Sequence, residues 1–327
     1  MAFPFFQKKS ITNIFTIAFY NLENLFDTRN DPTKLDDDFT PKGLKKWTPK
    51  RYRKKIRKLS RTLSHLGVKE SHRPPVLIGL AELENKSVIK DLITAPSLKD
   101  KGYQYVHYDS PDERGIDTAL LYDPKHFKVI ASERIPLLVH NLNGVRDATR
   151  DILYVHGHLN GEEIHLFVNH WPSRRDGDTE TAYKRIKAAE TIHSFIATIE
   201  EKESNPNFVV MGDFNDGPAD KSIQTLVNGK KLYNPMEVLI TMRRGSANYK
   251  QRWSLFDQII LSKTFFNEEA GTHSFAHANI FDDRFLKEWN GRYKGNPFRT
   301  YVGRKYLGGY SDHFPVYVQF HFMAPSV

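Results

Sequence analysis

Short runs of strand-forming residues recur from one end of this 327-residue chain to the other, and no repeat, low-complexity block or glycine/serine linker divides them. Their apolar, β-branched and aromatic composition is typical of buried strands. The runs are Ile14 to Tyr20, Val76 to Leu80, Tyr103 to Tyr108, Thr118 to Tyr122, Ile152 to His158, Ile164 to Asn169, Phe208 to Met211, Leu255 to Leu261 and Phe314 to Phe320. Although this length also allows two domains, the even distribution favours a single domain over residues 1–327.

Two amphipathic helices interrupt the predicted strands. The first begins at Thr48 and Pro49, with proline in the first helical position, and its apolar residues recur every three or four positions as far as Leu66, just before Gly67. The second covers Thr179 to Glu201. Because strands outnumber helices and the helices fall between groups of strands, we predict two packed sheets with helices outside them.

Composition limits the kind of site that the chain can build. Lys and Arg number 48 against 39 Asp and Glu, a formal net charge of +9, which favours phosphate-rich partners without identifying one. No apolar run approaches the ~18 residues of a membrane-spanning helix. The chain has no cysteine, so disulfides, thiolate zinc sites and cysteine nucleophiles are excluded. Any metal must be bound by Asp, Glu, Asn or His.

Several predicted strands end in a carboxylate, an amide or an imidazole. The clearest case is the strand that runs into Gly212-Asp213-Phe214-Asn215, where Asp213 and Asn215 share one face of extended chain. Taken alone, this turn is more typical of Asx hydrogen bonding after a buried strand. Since other strands end in the same way, we expect these polar side chains to converge on one rim of the molecule.

Six such segments follow one another in a characteristic order. They are Asn21 after the first strand, Leu80-Ala81-Glu82, Asn169-His170-Trp171-Pro172-Ser173, Gly212-Asp213-Phe214-Asn215, Phe256-Asp257-Gln258-Ile259-Ile260 and Ser311-Asp312-His313-Phe314-Pro315. In these motifs, from Phe15 to Phe320, the chain resembles the endonuclease/exonuclease/phosphatase family of DNase-I-like phosphoesterases. The resemblance implies an α/β fold, a four-layer α-β-β-α sandwich with two mostly antiparallel sheets. It also implies a hydrolase that depends on Mg²⁺ or Mn²⁺.

The resemblance implies a metal site formed by Asn21, Glu82 and Asp312. Mg²⁺ prefers one or two protein carboxylate or carbonyl oxygens and keeps its remaining positions for water and substrate. From the residues alone, Asn21 could instead be a strand-end turn residue and Glu82 a surface carboxylate. Glu23 and Glu84 lie close enough in sequence to be confused with these ligands.

The resemblance also implies a catalytic set. Asp213 is expected to orient or deprotonate the attacking water, and Asn215 to hold the phosphate or that water. His170 and His313 are expected to contact the scissile phosphate from two sides. Asp257 is expected to pair with His313, because a histidine held by a carboxylate stays more readily protonated and can stabilise developing charge.

Three further residues are candidates for phosphate binding or for support of the site. Asp117 is expected to orient His170, although the matching carboxylate could be one position away. Arg150, and with it Arg114, is expected to bind phosphate, as an arginine does in relatives of the DNase type. A solvent-facing arginine is an equal alternative at both positions.

Two basic segments bear on the choice of substrate. Lys45 to Arg61 surrounds the apolar stripe of the first helix with cations, and we favour a solvated helix face over a surface that follows a phosphate backbone. Arg284 to Tyr310 mixes cations with aromatic residues, among them Arg299 and Tyr301. This mixture suits a substrate with phosphates and stackable bases, or else a surface loop packed down by its own aromatic residues.

The predicted function is an endo- or exonuclease that hydrolyses DNA or RNA by in-line attack of water. A phosphatase or phosphodiesterase acting on phosphoinositide or sphingomyelin head groups is the alternative, because such relatives use the same catalytic residues. A non-catalytic binding module with a decayed site is a third possibility. We expect a monomer that is cytoplasmic rather than secreted, since no small-residue cleavage site follows residues 1–20.

Overall fold

The computed structural model describes residues 13–141, 143–175, 177–229 and 232–324. The first twelve residues, on which part of the expectation about secretion rests, therefore lie outside the described residues. Among the residues that are described, no helix has the length and apolar character needed to cross a membrane.

All of the predicted strands are present, some with shifted ends. In chain order the strands are β1 (Asn13–Leu25), β2 (Leu77–Leu83), β3 (Gln104–His107), β4 (Asp117–Tyr122), β5 (Phe127–Ile135), β6 (Val139–His140), β7 (Arg146–Asp147), β8 (Ile152–Leu159), β9 (Glu162–His170), β10 (Phe208–Asp213), β11 (Leu232–Tyr233), β12 (Ala247–Tyr249), β13 (Arg252–Ser254), β14 (Asp257–Ser262), β15 (His273–Ile280), β16 (Tyr301–Val302), β17 (Lys305–Tyr306) and β18 (Val316–Phe322). The α-helices are α1 (Pro49–Leu63), α2 (Val68–Ser71), α3 (Lys86–Ile93), α4 (Asp178–Glu200) and α5 (Lys221–Val227).

Two six-stranded sheets form the centre of the molecule. The first has the strand order β15-β18-β1-β2-β4-β3 and the second has the order β11-β14-β10-β9-β8-β5. Each sheet is antiparallel except for one pair, β1 with β2 in the first and β9 with β10 in the second. The central strands are almost wholly apolar because both of their faces are covered.

Alternate residues of the strands supply different core layers. In β1, Ile17 and Phe19 lie in the core between the two sheets, whereas Ala18 and Tyr20 lie in a second core beneath α1 and α3. A third core, to which Ile192 contributes, packs α4 and α5 against the outer face of the second sheet. The layers are thus helix, sheet, sheet and helix, and the predicted four-layer sandwich is confirmed.

The elements that the sequence analysis missed lie mainly at the edges. The outermost strands β5 and β15 have partly exposed and mixed sequences, so they lack the apolar runs that identify central strands. Helix α1 begins as predicted, with the Thr48 side chain accepting a hydrogen bond from the Arg51 backbone, but it ends at Leu63. Gly67 is therefore not the residue that ends α1. It has a left-handed backbone (φ +64°) and precedes the first residue of α2.

The two basic segments pack against each other. The Nζ atom of Lys58 lies over the rings of Tyr310 and Phe298, 4.3 and 4.9 Å from their centres, and the Arg51 guanidinium lies 4.3 Å from the ring centre of Tyr306. Such cation–π contacts are favourable when they are partly desolvated. The prediction of a solvated face on α1 is therefore wrong for this side of the helix, and the loop is packed down by its aromatic residues.

Lys55 departs furthest from the expected solvated face. Its side chain is buried, and Nζ donates to the backbone oxygen of Glu23 at 2.5 Å and to Oγ1 of Thr300 at 2.7 Å. A buried ammonium group needs such partners, because its unpaired burial is costly. This lysine connects α1 and the end of β1 to the segment Arg284 to Tyr310, which we call the basic–aromatic loop.

The docking of α1 on the first sheet can be tested with Leu59, which is fully buried in the second core. The Leu59→Ala substitution removes buried methyl groups and leaves a cavity, so we expect the free energy of unfolding to fall by about 2–5 kcal/mol. Urea denaturation measures this change. Leu44, whose side chain is 52% exposed, provides the control: Leu44→Ala is expected to change stability by less than about 0.5 kcal/mol. Equal effects of the two substitutions would contradict the observed packing of α1.

Candidate active site

Strand register aligns three of the predicted catalytic residues in one row. Asp213 at the end of β10 is paired with His170 of β9 on one side and with Asp257 of β14 on the other. Residues paired across neighbouring strands project from the same face of a sheet. A carboxylate therefore stands between an imidazole and a second carboxylate, and all three are buried.

The first sheet contributes two side chains to the same place. Asn21 of β1 donates from Nδ2 to Oδ2 of Asp213 at 2.9 Å, and this bond joins the two sheets. Oε1 of Glu82, on β2, lies 3.7 Å from Nε2 of His170, and that nitrogen lies 3.8 Å from Oδ2 of Asp213. The end of β1 and the end of β2 thus meet the row on the second sheet.

His313 completes this group from the segment before β18. Its Nδ1 atom lies 2.7 Å from Oδ2 of Asp257, and its Nε2 atom lies 4.0 Å from Oδ2 of Asp213. The expected pairing of His313 with Asp257 is therefore present. We refer to the following residues as the rim cluster: Asn21, Glu82, His170, Asp213, Asp257 and His313.

The two imidazoles of the rim cluster have opposite electrostatic environments. Burial alone lowers the pKa of His313, but the charges of Asp257 and Asp213 outweigh it and hold this pKa well above its usual value. Burial also lowers the pKa of His170, and there the nearby charge of Arg150 adds to the effect, so this pKa lies well below its usual value. At neutral pH one imidazole is a cation and the other is neutral.

Burial also changes the acidity of the central carboxyl group. It raises the pKa of Asp213 to about 6, although the positive charge of His313 acts in the opposite direction. A carboxylate with a pKa close to neutrality is a more effective proton acceptor than an ordinary exposed one. The backbone amide of Asn215 donates to Oδ1 of Asp213 at 3.0 Å and so orients the group.

Backbone irregularities direct two of these side chains. Glu82 has a left-handed backbone (φ +62°) and lies where the register of β2 shifts between Ala81 and Leu83. Such a bulge redirects a side chain that regular pleating would point elsewhere. Asn215 is also left-handed (φ +51°) and donates from Nδ2 to the backbone oxygen of Trp171 at 3.0 Å. Strained non-glycine residues of this kind concentrate at functional sites.

The two candidate phosphate-binding arginines differ in their surroundings. Arg150 is only 6% exposed, and its guanidinium donates to Oδ2 of Asp112 at 3.0 Å and to the backbone oxygen of Trp171 at 2.8 Å. The alternative of a solvent-facing arginine is therefore wrong for Arg150. Arg114 is partly exposed, and its Nε atom lies 3.8 Å from Oδ1 of Asp112. Asp112, which carried no sequence motif, thus holds both arginines close to the site.

The expectation that Asp117 orients His170 is wrong. One carboxylate oxygen of Asp117 lies 3.1 Å from Nε2 of His107, and the other accepts a hydrogen bond from the backbone amide of Ser110 at 2.9 Å. The Nδ1 atom of His170 has no hydrogen-bond partner in the part of the chain that the structure describes. The sequence places Asp117 just before a predicted strand, but it does not indicate that His107 is the imidazole beside it.

The two acidic residues that could be confused with metal ligands each accept hydrogen bonds from backbone amides. The carboxylate of Glu23 accepts hydrogen bonds from the backbone amides of Thr300 and Tyr301, at 2.5 and 3.2 Å, and burial raises its pKa to about 7. Glu84 accepts from the backbone amide of Asp27 at 2.5 Å, and burial raises its pKa to about 8. Both carboxylates hold backbone in place.

A cavity of about 240 Å³ adjoins the rim cluster on the side of Glu82. Several of the predicted residues line it together, namely Glu82, Arg114, Arg299, Tyr301 and Asp312. Arg299 donates to Oδ2 of Asp312 at 2.6 Å, and Tyr301 donates its hydroxyl to the backbone oxygen of Lys45 at 3.0 Å. Lys45 and Arg175 also line the cavity. Arg175 follows the Trp-Pro-Ser motif closely enough for the sequence to have indicated it. Lys45 begins the basic segment Lys45 to Arg61, which the sequence analysis interpreted as a solvated helix face.

A second cavity of about 460 Å³ lies against the loop that follows Asn215. Trp253 and Phe256 give it an aromatic wall, and Arg174 forms part of its edge. Arg174 donates from Nε to the backbone oxygen of Asn215 at 2.6 Å and forms an ion pair with Asp216. The sequence analysis did not predict these residues, although Arg174 directly follows the Asn-His-Trp-Pro-Ser motif and Asp216 directly follows Asn215.

The donor set at the rim fits a divalent metal ion. Glu82 and Asp312 offer carboxylate oxygens at one cavity. The amide oxygen of Asn21 accepts a hydrogen bond from the backbone amide of Glu23 at 2.9 Å and has a second lone pair. One ligand atom from each of Asp213, Asp257 and His313 also lies within 4.8 Å of the others. Oδ1 of Asp257 is buried without a hydrogen-bond partner among the residues described. Oxygen donors that dominate a site in this way suit hard divalent cations.

Known proteins share this arrangement of sheets. The family model described as the endonuclease/exonuclease/phosphatase family matches residues 16–321. No curated protein matches the chain. Solved structures share the fold as well. A mannosyl-6-phosphatase from Bacteroides thetaiotaomicron is 17% identical, with a TM-score of 0.58 and coverage of 94% of this chain and 100% of the other.

Two other structures are equally complete matches at low identity. A D. rerio TDP2 complexed with a single-strand DNA product is 17% identical, with a TM-score of 0.55 and coverage of 94% of this chain and 99% of the other. The human Nocturnin catalytic domain with a bound sulfate anion is 15% identical, with a TM-score of 0.56 and coverage of 96% of each chain. Since the family model spans nearly all of the residues between β1 and β18, the chain belongs to the endonuclease/exonuclease/phosphatase family and is a hydrolase of phosphoric ester bonds.

Proposed function

We propose that the protein hydrolyses phosphodiester bonds of nucleic acid by in-line attack of water, with Mg²⁺ or Mn²⁺ as its cofactor. The observation that carries this proposal is the position of Asp213, between a neutral His170 and a cationic His313 and opposite Glu82. This arrangement offers a proton acceptor, a cation and a carboxylate metal ligand within one small space. Hydrolysis of an anionic phosphodiester needs all three functions.

In this proposal Glu82, Asn21 and Asp312 hold the metal ion. A bound Mg²⁺ or Mn²⁺ neutralises charge on the phosphate and makes a coordinated water more acidic. Asp213 orients the attacking water and accepts its proton at a carboxylate oxygen, for which a pKa of about 6 is well suited. Asn215 holds the phosphate or that water from the turn after β10.

The two histidines act on the phosphate oxygens. His313, kept cationic by Asp257, stabilises the negative charge that develops as the water attacks. His170 is neutral and buried. It donates a hydrogen bond to a phosphate oxygen but, unlike His313, contributes no positive charge. The charge of Arg150 acts on His170 and adds positive potential to the site, while Arg150 keeps its hydrogen bonds to Asp112 and to the backbone of Trp171.

Two observations support nucleic acid as the substrate class. Lys45, Arg114, Arg175 and Arg299 line the cavity beside Glu82, so a neighbouring anionic group of the substrate finds cations there. The second cavity presents Trp253 and Phe256, which suit a sugar or a base. The D. rerio TDP2 complex with a DNA product offers a parallel on the same fold. Phe298, Tyr306 and Tyr310 of the basic–aromatic loop do not add support, because they pack on α1.

Phospholipid head groups are the second candidate substrate, and one observation favours them. Val238, Met242 and Tyr249 are 74%, 95% and 71% exposed in the segment that leads from β11 into the β12–β13 hairpin. The same hairpin reaches the rim cluster, since Ala247 forms an isolated β-bridge with His313. Exposed apolar residues beside a phosphoesterase site suit contact with a lipid surface.

The role of Asp213 is tested by the isosteric Asp213→Asn substitution. We expect hydrolysis of bis-p-nitrophenyl phosphate with Mg²⁺ to fall by about 10²–10⁴-fold, because an amide cannot accept the proton of the water. Initial rates measure the loss, and circular dichroism checks that the fold is kept. The exposed Asp100 gives the control, and Asp100→Asn is expected to leave the rate unchanged. Near wild-type hydrolysis by Asp213→Asn would refute the proposed role.

The metal site is tested by comparing two nearby glutamates. Treatment with EDTA is expected to abolish hydrolysis, and Glu82→Gln is expected to raise the half-saturating Mg²⁺ concentration by at least about tenfold, since a neutral amide is a weaker ligand for a hard cation. Glu84→Gln is the matched control and is expected to leave the metal titration unchanged. The reverse result, with Glu84→Gln shifting the titration, would assign the ligand to Glu84.

The substrate class is tested with a panel of duplex DNA, single-stranded DNA, RNA and phosphoinositide vesicles, each with and without Mg²⁺. We expect metal-dependent cleavage of nucleic acid and no sedimentation of the protein with anionic vesicles. Arg175→Ala, which removes a cation from the cavity wall, is expected to raise KM for nucleic acid more than it lowers kcat. Hydrolysis of vesicle head groups alone, reduced by Met242→Ser, would instead support the lipid candidate.

A further inference from the structure

A second group of metal-ligating side chains lies on the outer face of the second sheet. His165 belongs to β9, five residues before His170, which places it about 16 Å along the strand from the rim cluster. His156 of β8 is its direct partner across the ladder. The two imidazole rings are stacked, with centres 4.5 Å apart and planes within 4° of parallel.

Two carboxylates approach these imidazoles from different segments. Oε2 of Glu203, in the connection between α4 and β10, lies 2.9 Å from Nε2 of His165. Oε1 of Glu163, on β9, lies 2.6 Å from Nε2 of His156. One ligand atom from each of His156, His165 and Glu203 lies within 4.8 Å of the other two.

We propose that His156, His165 and Glu203 form a binding site for a late transition-metal ion such as Zn²⁺, with Glu163 available as a fourth ligand. Imidazole nitrogens suit Zn²⁺, Ni²⁺ and Cu²⁺, whereas Mg²⁺ requires oxygen donors. The site therefore differs in chemistry from the oxygen-rich rim cluster. The proposal is independent of the proposed function, because none of these residues contacts the rim cluster.

To bind the ion, the His156 ring must rotate out of its stacked position, since a metal ion lies in the plane of each imidazole that binds it. Tetrahedral Zn²⁺ with ligand distances of about 2.0–2.1 Å separates its ligand atoms by about 3.3 Å. His156 and Glu203 are partly exposed, so their side chains can rotate toward the ion, whereas His165 is buried and provides a fixed point. Glu203 also lines a cavity of about 400 Å³, which gives the ion a route from solvent.

A neighbouring hydroxyl group holds the fixed imidazole in place. The hydroxyl oxygen of Tyr154 lies 2.7 Å from Nδ1 of His165. In the tautomer with the proton on Nδ1, this nitrogen donates a hydrogen bond to the Tyr154 oxygen. The lone pair of Nε2 is then free and faces Glu203. Metal-binding histidines commonly have a partner of this kind on their other nitrogen. A bound ion would fasten the α4–β10 connection to β8 and β9.

The test is isothermal titration of the full-length, EDTA-treated and dialysed protein with Zn²⁺. We expect the wild type to bind one more Zn²⁺ per chain than His156→Ala, and Tyr154→Phe to bind this ion about 10–100-fold more weakly. Because His156 is partly exposed, His156→Ala is expected to fold and to retain Mg²⁺-dependent hydrolysis. His277→Ala, which removes an exposed strand histidine from the other sheet, is the control and is expected to bind Zn²⁺ as the wild type does.

Thermal unfolding provides an independent measurement. Zn²⁺ is expected to raise the Tm of the wild type and of Asp213→Asn, in which the rim cluster is altered, but not that of His156→Ala. Equal Zn²⁺ stoichiometry, affinity and Tm shift in the wild type and in His156→Ala would overturn the proposal. Zn²⁺ binding that survives in His156→Ala and is lost in Asp213→Asn would assign the ion to the rim cluster and would also overturn it.

Discussion

The hydrogen bond from Asn21 to Asp213 joins the two sheets at the centre of the rim cluster. A buried carboxylate is costly unless other groups compensate for its lost hydration. Asp213 obtains that compensation from the Asn21 amide, from the backbone of Asn215 and from the charge of His313. These partners come from both sheets, so the carboxylate is stable only when the sandwich is assembled.

The two histidines of the rim cluster are both buried, yet they have different protonation states. His170 and His313 lie on either side of Asp213, yet one is next to Arg150 and the other is hydrogen-bonded to Asp257. Desolvation acts on both, and the neighbouring charge decides the outcome. In a site with one neutral and one cationic imidazole, the neutral ring can donate a hydrogen bond to one side of a phosphate. The cationic ring can place a positive charge on the other side.

The positive charge of the chain has two structural uses. On α1, Lys58 and Arg51 lie on aromatic rings of the loop that precedes Asp312, and Lys55 is buried beneath it. The loop is therefore held by α1 and in turn positions Arg299 beside Asp312. A count of lysines and arginines overestimates the charge that is available to a substrate, because these cations are already paired.

Much of the fold and of the candidate site was predictable from local patterns. Central strands such as Phe208–Met211 are identified by continuous apolar runs, and the residues that follow them identify Asp213 and His170. Edge strands such as β15 were missed because a half-exposed strand has no such run. The Asp117 error has a related cause, since the sequence showed a carboxylate at a strand end but not which of two imidazoles lies beside it.

The sequence by itself determined the family, the layer order and the identities of the residues in the rim cluster, because each depends on a run of neighbouring residues. Only the tertiary structure decided which partner each charged group meets. Arg150 became a buried support instead of a surface arginine, and Lys55 became a core residue. His156 and His165, which matched no motif, came to stand beside Glu203. The physical reason is that pKa values and ion pairs depend on distances between residues far apart in the chain. Strand register, the packing of the two sheets and the placement of helices and loops together set those distances.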